Sequence, residues 1–212
     1  MGTIIQLCKV VLKVLLPISY LGPISYFAYI LQAEQVNIES KEHFVKQSVR
    51  NRCSILGANG IQTLSIPKQR KSSDKTSISE IGISNKDKWQ KSHWQSIVSA
   101  YNSSPFFEYF KDELEQFYNT KFNNLFDFNL QLTHKILQFI QEEKELKITS
   151  SFQNNFDGID LRNHKFTSEN TQQYEQVFSE KHPFIPNLSI IDLLFNLGPE
   201  TEEYLNNLDV KK

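Results

Sequence analysis

The sequence predicts a mixed α/β domain, and three observations predict it. Near the start, two short apolar runs flank an amphipathic segment, which is typical of a strand, a helix and a second strand. An Asn59-Gly60 pair between alternating apolar residues favours a β-hairpin. From residue 88 to residue 143 the apolar spacing becomes helical, which predicts a helical layer packed on a sheet.

The first third of the chain supplies most of the expected sheet. KVLLPISY predicts a buried strand that ends at Pro17, because proline cannot donate to a β-ladder. GPISYFAYILQAE then reads as a helix with Pro23 in its first turn, and QVNIES reads as a second strand. This order favours a parallel pair with a right-handed crossover. RNRCSIL and IQTLSIP form the hairpin, so we expect one mixed sheet.

The rest of the chain predicts a surface loop, helices and a late strand. KQRKSSDKTS is polar and basic without apolar period, and ISEIGIS is expected to be a short edge strand. Ser104-Pro105 is expected to start the second of three helices between residues 88 and 143. LKITSSF should join the sheet, and two C-terminal helices should close one end. Ser189 and Asp192 are spaced as a capping box, which we favour over a catalytic Asp192.

Composition excludes several classes of function. The 212 residues carry a net charge of −1, which argues against a nucleic-acid partner. Two cysteines are too few for a disulfide framework and favour a cytoplasmic location. The five histidines lack metal-binding spacing, and the chain has no phosphate loop and no dinucleotide fingerprint. We therefore expect neither a metal nor a cofactor.

The apolar N-terminal stretch does not predict a transmembrane helix. Lys9, Lys13, Pro17, Gly22 and Pro23 interrupt it, so no uninterrupted run approaches the roughly 20 residues that a membrane span needs. This leaves peripheral contact with a membrane open, and the oligomeric state is not indicated by any pattern.

The segment EHFVKQSVRNRCSILGANGIQTLSIP, residues 42–67, predicts an anion site. If residues 45–56 are extended, Lys46, Ser48, Arg50 and Arg52 share one face, with neighbours about 6.6 Å apart. Two guanidinium groups at that separation can bind a phosphate, a diphosphate or a carboxylate. The alternative is a solvent-facing strand whose cations pair with acidic neighbours, of which the candidates are Glu34, Glu39 and Glu42.

Two histidines are candidates for proton transfer. His43 lies at the mouth of the expected strand, and His93 lies on a helix one turn after Trp89. The alternative is a structural role, with His43 as an ordinary surface histidine and His93 as a packing residue. By parity Cys53 falls on the apolar face, which favours a buried core residue over a nucleophile.

Four blocks of the sequence resemble the WbqC-like family, in order and from about Lys13 to Leu205. They are LLPISYLGPISYFAYI, EHFVKQSVRNRCSILGANGIQTLSIP, WQKSHWQSIVSAYNSSPFFEYF and EKHPFIPNLSIIDLLFNLGPE. The resemblance implies a single domain over residues 13–209 with an extension at residues 1–12. It also implies site residues at the matching positions, which are Tyr20, Tyr26, Lys46, Arg50, Asn51, Arg52, Trp89, His93 and Tyr101.

The resemblance implies a role in cell-surface polysaccharide biosynthesis of the O-antigen type. The first hypothesis is a transferase that passes an activated glycine or another acyl group to a sugar. Its partner would be a phosphorylated or nucleotide-linked sugar or an activated acyl donor, held by the cationic face. The second hypothesis is a non-catalytic module that binds a nucleotide-sugar or glycan and assists a partner enzyme, with Tyr20, Tyr26, Trp89 and Trp94 as stacking surfaces.

Overall fold

The computed structural model describes residues 12–69, 75–166 and 171–210. The strands are β1 (Lys13–Pro17), β2 (Gln35–Glu39), β3 (Arg52–Gly57), β4 (Gly60–Ser65), β5 (Leu146–Ile148) and β6 (Ile159–Asp160). The helices are α1 (Ile24–Gln32), α2 (Trp89–Tyr101), α3 (Phe107–Asn119), α4 (Leu125–Phe139), α5 (Ile190–Leu197) and α6 (Thr201–Asn207). The mixed α/β class is confirmed. All of the expected extension at residues 1–12 except Leu12, and the centre of the expected surface loop, lie outside the described residues.

A parallel sheet forms one half of the molecule, with strand order β5-β2-β1-β6. The predicted strand–helix–strand opening is confirmed, because β1 and β2 pair in parallel on either side of α1. Val14, Leu15 and Leu16 of β1 are fully buried, as expected for an inner strand covered on both faces. Strand β6 was not predicted, since two residues in a polar stretch carry no apolar period.

The hairpin forms a separate two-stranded sheet, so the expected single mixed sheet does not occur. Strands β3 and β4 pair from Arg52–Ser65 to Gly57–Gly60. The connecting residues are therefore Ala58 and Asn59, one position earlier than the Asn59-Gly60 pair suggested. Gly60 has φ +103°, a conformation that side-chain-bearing residues rarely adopt, which explains why glycine occupies this position.

The predicted helical layer from residue 88 to residue 143 is confirmed as α2, α3 and α4, with different details at the helix starts. Asn124 caps α4 by accepting a hydrogen bond from Asp127 N at 3.0 Å. Helix α3 begins at Phe107, and Ser104 donates to the Tyr101 carbonyl at 2.6 Å instead of capping it. The expected edge strand ISEIGIS contains a 3-10 helix, Ile78–Glu80, which packs beside α4, and isolated β-bridges follow it at Gly82 and Ile83.

The C-terminal helices close one end, but the expected capping box at α5 is wrong. Ser189 donates its hydroxyl to the Leu21 carbonyl at 2.8 Å, which ties α5 to the loop after β1. Asp192 is 1% exposed and accepts hydrogen bonds from Tyr101, Tyr174 and Gln176. Within the described ranges, no helix combines the length and the apolar character needed to cross a bilayer.

Candidate functional site

A cavity of about 530 Å³ lies between the hairpin, the turn that precedes it and the loop that follows β6. This volume is within the range typical of small-molecule sites. The lining includes Pro23, Val45, Gln47, Ser48, Val49, Arg50, Arg52, Cys53, Ser54, Thr63, Arg162, Asn163, His164, Lys165, Phe166, Asn187 and Ser189.

The cavity lies at the carboxyl edge of the parallel sheet. Its wall includes the residues that follow β6. It also includes the turn at residues 45–50, which comes after β2. Strands β2 and β5 lie on one side of β1, and β6 lies on its other side. The strand order therefore reverses between β1 and β6. In open parallel sheets, ligands bind at the carboxyl ends of the strands where the order reverses. The fold therefore supports this cavity as the candidate site.

The turn before β3 replaces the extended strand that the sequence predicted. Residues 46–51 are turns, Gln47 has φ +57°, and Arg52 N donates back to the Ser48 carbonyl at 3.0 Å. Tyr20 N donates to the Val49 carbonyl at 2.8 Å, and Asn129 donates to the Arg50 carbonyl at 2.7 Å. These bonds from the loop after β1 and from α4 fix the turn.

The turn breaks the predicted parity of the cations. Only Arg52 belongs to a strand, whereas Arg50 is 3% exposed and Lys46 is an exposed residue outside the cavity lining. The expectation that Lys46, Arg50 and Arg52 project together from one extended face is therefore wrong. Side chains alternate between two faces in an extended strand, and they do not do so in a turn.

Arg50 is paired inside the protein. Its Nε donates to Glu42 Oε1 at 2.7 Å, its Nη2 donates to Oε2 at 2.5 Å, and Nη2 also donates to the Arg162 carbonyl at 3.0 Å. Burial raises the pKa of the Glu42 carboxyl, while Arg50 acts to lower it. The pairing with Glu42, which the alternative interpretation of the sequence expected, is confirmed, but Arg50 lies buried in a turn and not on a solvent-facing strand.

Arg162 is matched by acidic residues in the same way. Its guanidinium makes hydrogen bonds to both carboxylate oxygens of Asp160 and contacts Glu39 Oε2 at 3.2 Å. It also lies over the Phe152 ring, with 4.6 Å to the centroid. Glu39 is fully buried and accepts further bonds from Thr149 and from the Gln153 backbone. These contacts fix the start of the loop after β6.

Arg52 differs from both. It is partly buried on the cavity wall, and its Nε is inaccessible to solvent and without a hydrogen-bond partner among the described residues. No ion pair to its guanidinium occurs within the described ranges. A partly desolvated cation without a counter-ion is unfavourable until an anion binds it.

Hydroxyl groups lie beside Arg52 on the same face of the hairpin. Ser54 follows Arg52 by two residues on β3, and Thr63 on β4 is the direct cross-strand partner of Ser54. Both line the cavity. The hairpin thus presents one cation and two groups that can both donate and accept hydrogen bonds.

The loop after β6 supplies residues that the sequence reasoning did not select. Asn163, His164 and Lys165 follow Arg162 directly and line the cavity. The only signal was the polar run RNHK at residues 162–165. The pairing of β6 with β1, across more than 140 residues, brings this run to the cavity, and local sequence patterns do not indicate such a pairing.

The predicted catalytic histidines lie elsewhere. His93 is 7% exposed, and its Nδ1 is 2.9 Å from the hydroxyl of Tyr20, which also contacts Tyr118 at 3.0 Å. Burial lowers the pKa of His93 to about 4, although a backbone hydrogen bond with Ser65 acts in the opposite direction. His43 is exposed and forms a β-bridge with Ser77, and neither histidine lines the cavity.

The aromatic and amide residues selected from the resemblance are also placed in the core. Tyr26 donates to the Pro17 carbonyl, and Tyr101 donates to Asp192 Oδ1 at 2.9 Å. Asn51 donates to the Ile66 carbonyl at 3.2 Å, and Trp89 packs edge-on against His93. The structure therefore brings Arg50 and Arg52 to the cavity and does not bring the other predicted site residues there.

Two further observations concern the chemistry of the cavity. Gln47 and Asn187 line it and have positive φ angles of 57° and 55°, and such backbone strain clusters at functional sites. Cys53 also lines it, but burial raises the pKa of its thiol, which disfavours the reactive thiolate. In the part of the chain that the structure describes, no group of three or more metal-ligating side chains is positioned to hold a metal ion.

Comparisons with known proteins support one family. A model described as the WbqC-like protein family matches residues 19–158 and 153–204, which confirms the resemblance seen in the sequence. The uncharacterized protein Rv1507c of Mycobacterium tuberculosis is 24% identical over 221 residues, covering 88% of this chain and 94% of that protein. No solved structure matches significantly.

Proposed function

Because the chain belongs to the WbqC-like protein family, we propose that it is a transferase of cell-surface polysaccharide biosynthesis of the O-antigen type, acting in the cytoplasm. It binds a phosphorylated or nucleotide-linked sugar, or an activated acyl donor, in the cavity beside Arg52. It passes glycine or another acyl group from an activated donor to a sugar.

The observation that carries this proposal is the unpaired guanidinium of Arg52. The neighbouring Arg50 and Arg162 already have carboxylate partners, so they contribute shape more than net positive charge. Arg52 has none among the described residues, and its Nε is removed from solvent. A phosphate or carboxylate at this position would supply the absent partner, and the contact would be stronger than in bulk water.

The lining around Arg52 supports a sugar-bearing ligand. Ser54 and Thr63 offer hydroxyls on the hairpin side, and Asn163 offers an amide on the opposite side. Val45, Val49 and Phe166 add apolar surface to a lining in which most residues are polar or charged. Side chains that donate and accept hydrogen bonds suit a ligand with several hydroxyl groups, such as a sugar.

A second candidate function is a non-catalytic module that binds the same ligands for a partner enzyme. The observation that favours it is the placement of His43 and His93, the two histidines expected to transfer protons, outside the cavity lining. The two candidates share the anion site and differ in turnover.

Calorimetric titration tests the shared anion site. We expect UDP-N-acetylglucosamine, inorganic pyrophosphate or glycyl-adenylate to bind the wild-type protein and to bind Arg52→Gln at least tenfold more weakly. Lys46→Gln is the matched control, because it removes the same charge from an exposed residue outside the cavity. Equal affinities for the wild type and Arg52→Gln, or no binding by any of the three compounds, would refute the proposal.

Mass spectrometry of reaction mixtures separates the two candidates. Wild-type protein with glycyl-adenylate and a nucleotide-sugar is expected to yield a sugar that carries an added glycyl group, and Arg52→Gln is expected to yield much less. Tight binding without product across a panel of acyl donors would instead favour the binding module.

A further inference from the structure

The cavity contains one histidine that the sequence reasoning did not select. All five histidines of the chain lie in described residues. His164 lines the cavity, whereas His43 and His93 do not. His134 borders a separate depression at the end of α4, and His182 contacts the hairpin loop.

His164 is held in place from two directions. Its ring packs edge-on against Tyr29 at 5.8 Å and against Phe166 at 5.2 Å between centroids, with interplanar angles of 82° and 83°. Its backbone N donates to the Leu161 carbonyl at 3.0 Å. Tyr29 belongs to α1 and is 3% exposed, so the core itself supports the ring. A restrained side chain loses little freedom when a ligand binds.

The loop that carries His164 is fixed at its start. Arg162 is bound by Asp160 and Glu39, and its carbonyl accepts a bond from Arg50. The ion pairs of the buried Arg50 and the partly buried Arg162 therefore also position the histidine that lies two residues after Arg162. On the facing wall lies Arg52, which the proposed function assigns to the anionic group of the ligand.

We propose that His164 is the catalytic histidine of this cavity and accepts the proton of the attacking group. The inference rests on the proposed function. The imidazole takes the proton as the hydroxyl or amine of the acceptor sugar attacks the acyl carbon and a C–O or C–N bond forms. The bond between that carbon and the activating group breaks, and the leaving group departs with the electron pair. The imidazolium then returns the proton to the leaving group.

The placement satisfies the geometric requirement for a general base better than the other histidines do. Such a base must reach the reacting proton directly or through one water molecule. His93 is enclosed by Tyr20 and Trp89, and its pKa of about 4 makes it a weak base. His43 lies outside the lining.

Chemical modification tests whether the ligand covers His164. Diethyl pyrocarbonate carbethoxylates accessible neutral imidazoles, and peptide mapping by mass spectrometry follows each histidine separately. We expect saturating UDP-N-acetylglucosamine to slow the modification of His164 at least tenfold. The exposed His43 serves as the internal control, and its modification rate is expected to stay unchanged. In Arg52→Gln the same concentration should protect His164 much less.

Two outcomes separate this inference from the proposed function. If calorimetry shows Arg52-dependent binding of UDP-N-acetylglucosamine while His164 is modified at the unprotected rate, the inference is overturned and the anion site stands. If none of UDP-N-acetylglucosamine, inorganic pyrophosphate and glycyl-adenylate binds, and none of them slows the modification of His164, both are overturned.

Turnover gives the second readout. His164→Gln is expected to lower the rate of glycyl transfer by 100-fold or more, while the affinity for UDP-N-acetylglucosamine stays within threefold of the wild type. His43→Gln should leave the rate unchanged. A wild-type rate in His164→Gln, or no transfer by the wild type despite binding, would contradict a catalytic role for His164.

Discussion

The arginines on the two walls of the cavity differ in whether they have a carboxylate partner. On the wall formed by the loops after β2 and β6, Arg50 and Arg162 are matched by Glu42, Glu39 and Asp160. On the hairpin wall, Arg52 has no partner among the described residues. Matched cations fix the shape of the loops, whereas the unmatched cation leaves a position for an anion from outside. Two arginines that are two residues apart therefore differ in role: Arg50 stabilises the loop, whereas the proposed function assigns the ligand to Arg52.

The largest effect is expected when the carboxylate that pairs with Arg50 is removed. Glu42→Leu leaves the Arg50 guanidinium buried without its main partner, and we expect it to lower the free energy of unfolding by about 3–5 kcal/mol. Urea denaturation measures this loss. The matched control is the double variant Glu42→Leu/Arg50→Met, which removes both charges and should recover most of the stability. A double variant as unstable as the single variant would show that the ion pair is not the cause.

The next largest effect concerns His93, a histidine of the core, and the pH dependence of the free energy of unfolding. Because the folded-state pKa of His93 is lowered to about 4 from 6.5, the unfolded chain binds its proton first as the pH falls. The stability that His93 contributes is therefore full above pH 6.5 and falls between about pH 6.5 and 4. At about 1.4 kcal/mol per pKa unit, the loss approaches roughly 3 kcal/mol.

Comparison with His93→Gln isolates this effect from the carboxylates that titrate in the same range. The difference in unfolding free energy between the wild type and His93→Gln should shrink as the pH falls from 6.5 to 4. His43→Gln, at an exposed position, should show no such dependence. A constant difference across this pH range for His93→Gln would show that the core does not hold the imidazole neutral.

A smaller effect is expected on the unmatched wall, and it should appear in binding. Arg52→Gln should weaken pyrophosphate binding by about 1.5–3 kcal/mol, the contribution typical of a hydrogen bond to a charged group. Its free energy of unfolding should stay within about 0.5 kcal/mol of the wild type, because no internal partner is lost. Loss of several kcal/mol of stability would place Arg52 with the matched arginines.

The smallest effect concerns the hydroxyls beside Arg52. Ser54→Ala and Thr63→Ala should each weaken binding of UDP-N-acetylglucosamine by about 0.5–1.5 kcal/mol. Binding of inorganic pyrophosphate should not change, since that anion has no sugar hydroxyls. Calorimetric titration of both compounds against both variants measures the contrast. Equal losses for the two compounds would mean that these hydroxyls contact the phosphate groups.

Local patterns predicted the elements that form locally. The strand that ends at Pro17, the helix after Pro23, the hairpin around Asn59 and the amphipathic helices all depend on short-range spacing, and the structure contains them. The extended position of Arg52 was also predicted, and this residue lies on β3 and lines the cavity. These successes share one cause, since each depends on residues within a few positions of one another.

The parts that the sequence did not predict depend on distant contacts. The turn before β3 is held by Tyr20 and Asn129, so the parity that assigned Lys46 and Arg50 to the site failed. His93 was chosen from helical spacing, yet Tyr20, 73 residues away, encloses it. His164 was overlooked because β6 has only two residues and acquires its position by pairing with β1. None of these long-range contacts produces a periodic pattern in the sequence.

A crystal structure of the protein with inorganic pyrophosphate tests directly whether Arg52 binds an anion. We expect a phosphate oxygen at about 3 Å from a guanidinium nitrogen of Arg52, while Arg50 keeps its bonds to Glu42. Pyrophosphate bound at Lys46 and absent from the cavity would contradict this expectation, and so would an Arg52 side chain paired with a carboxylate of the protein itself.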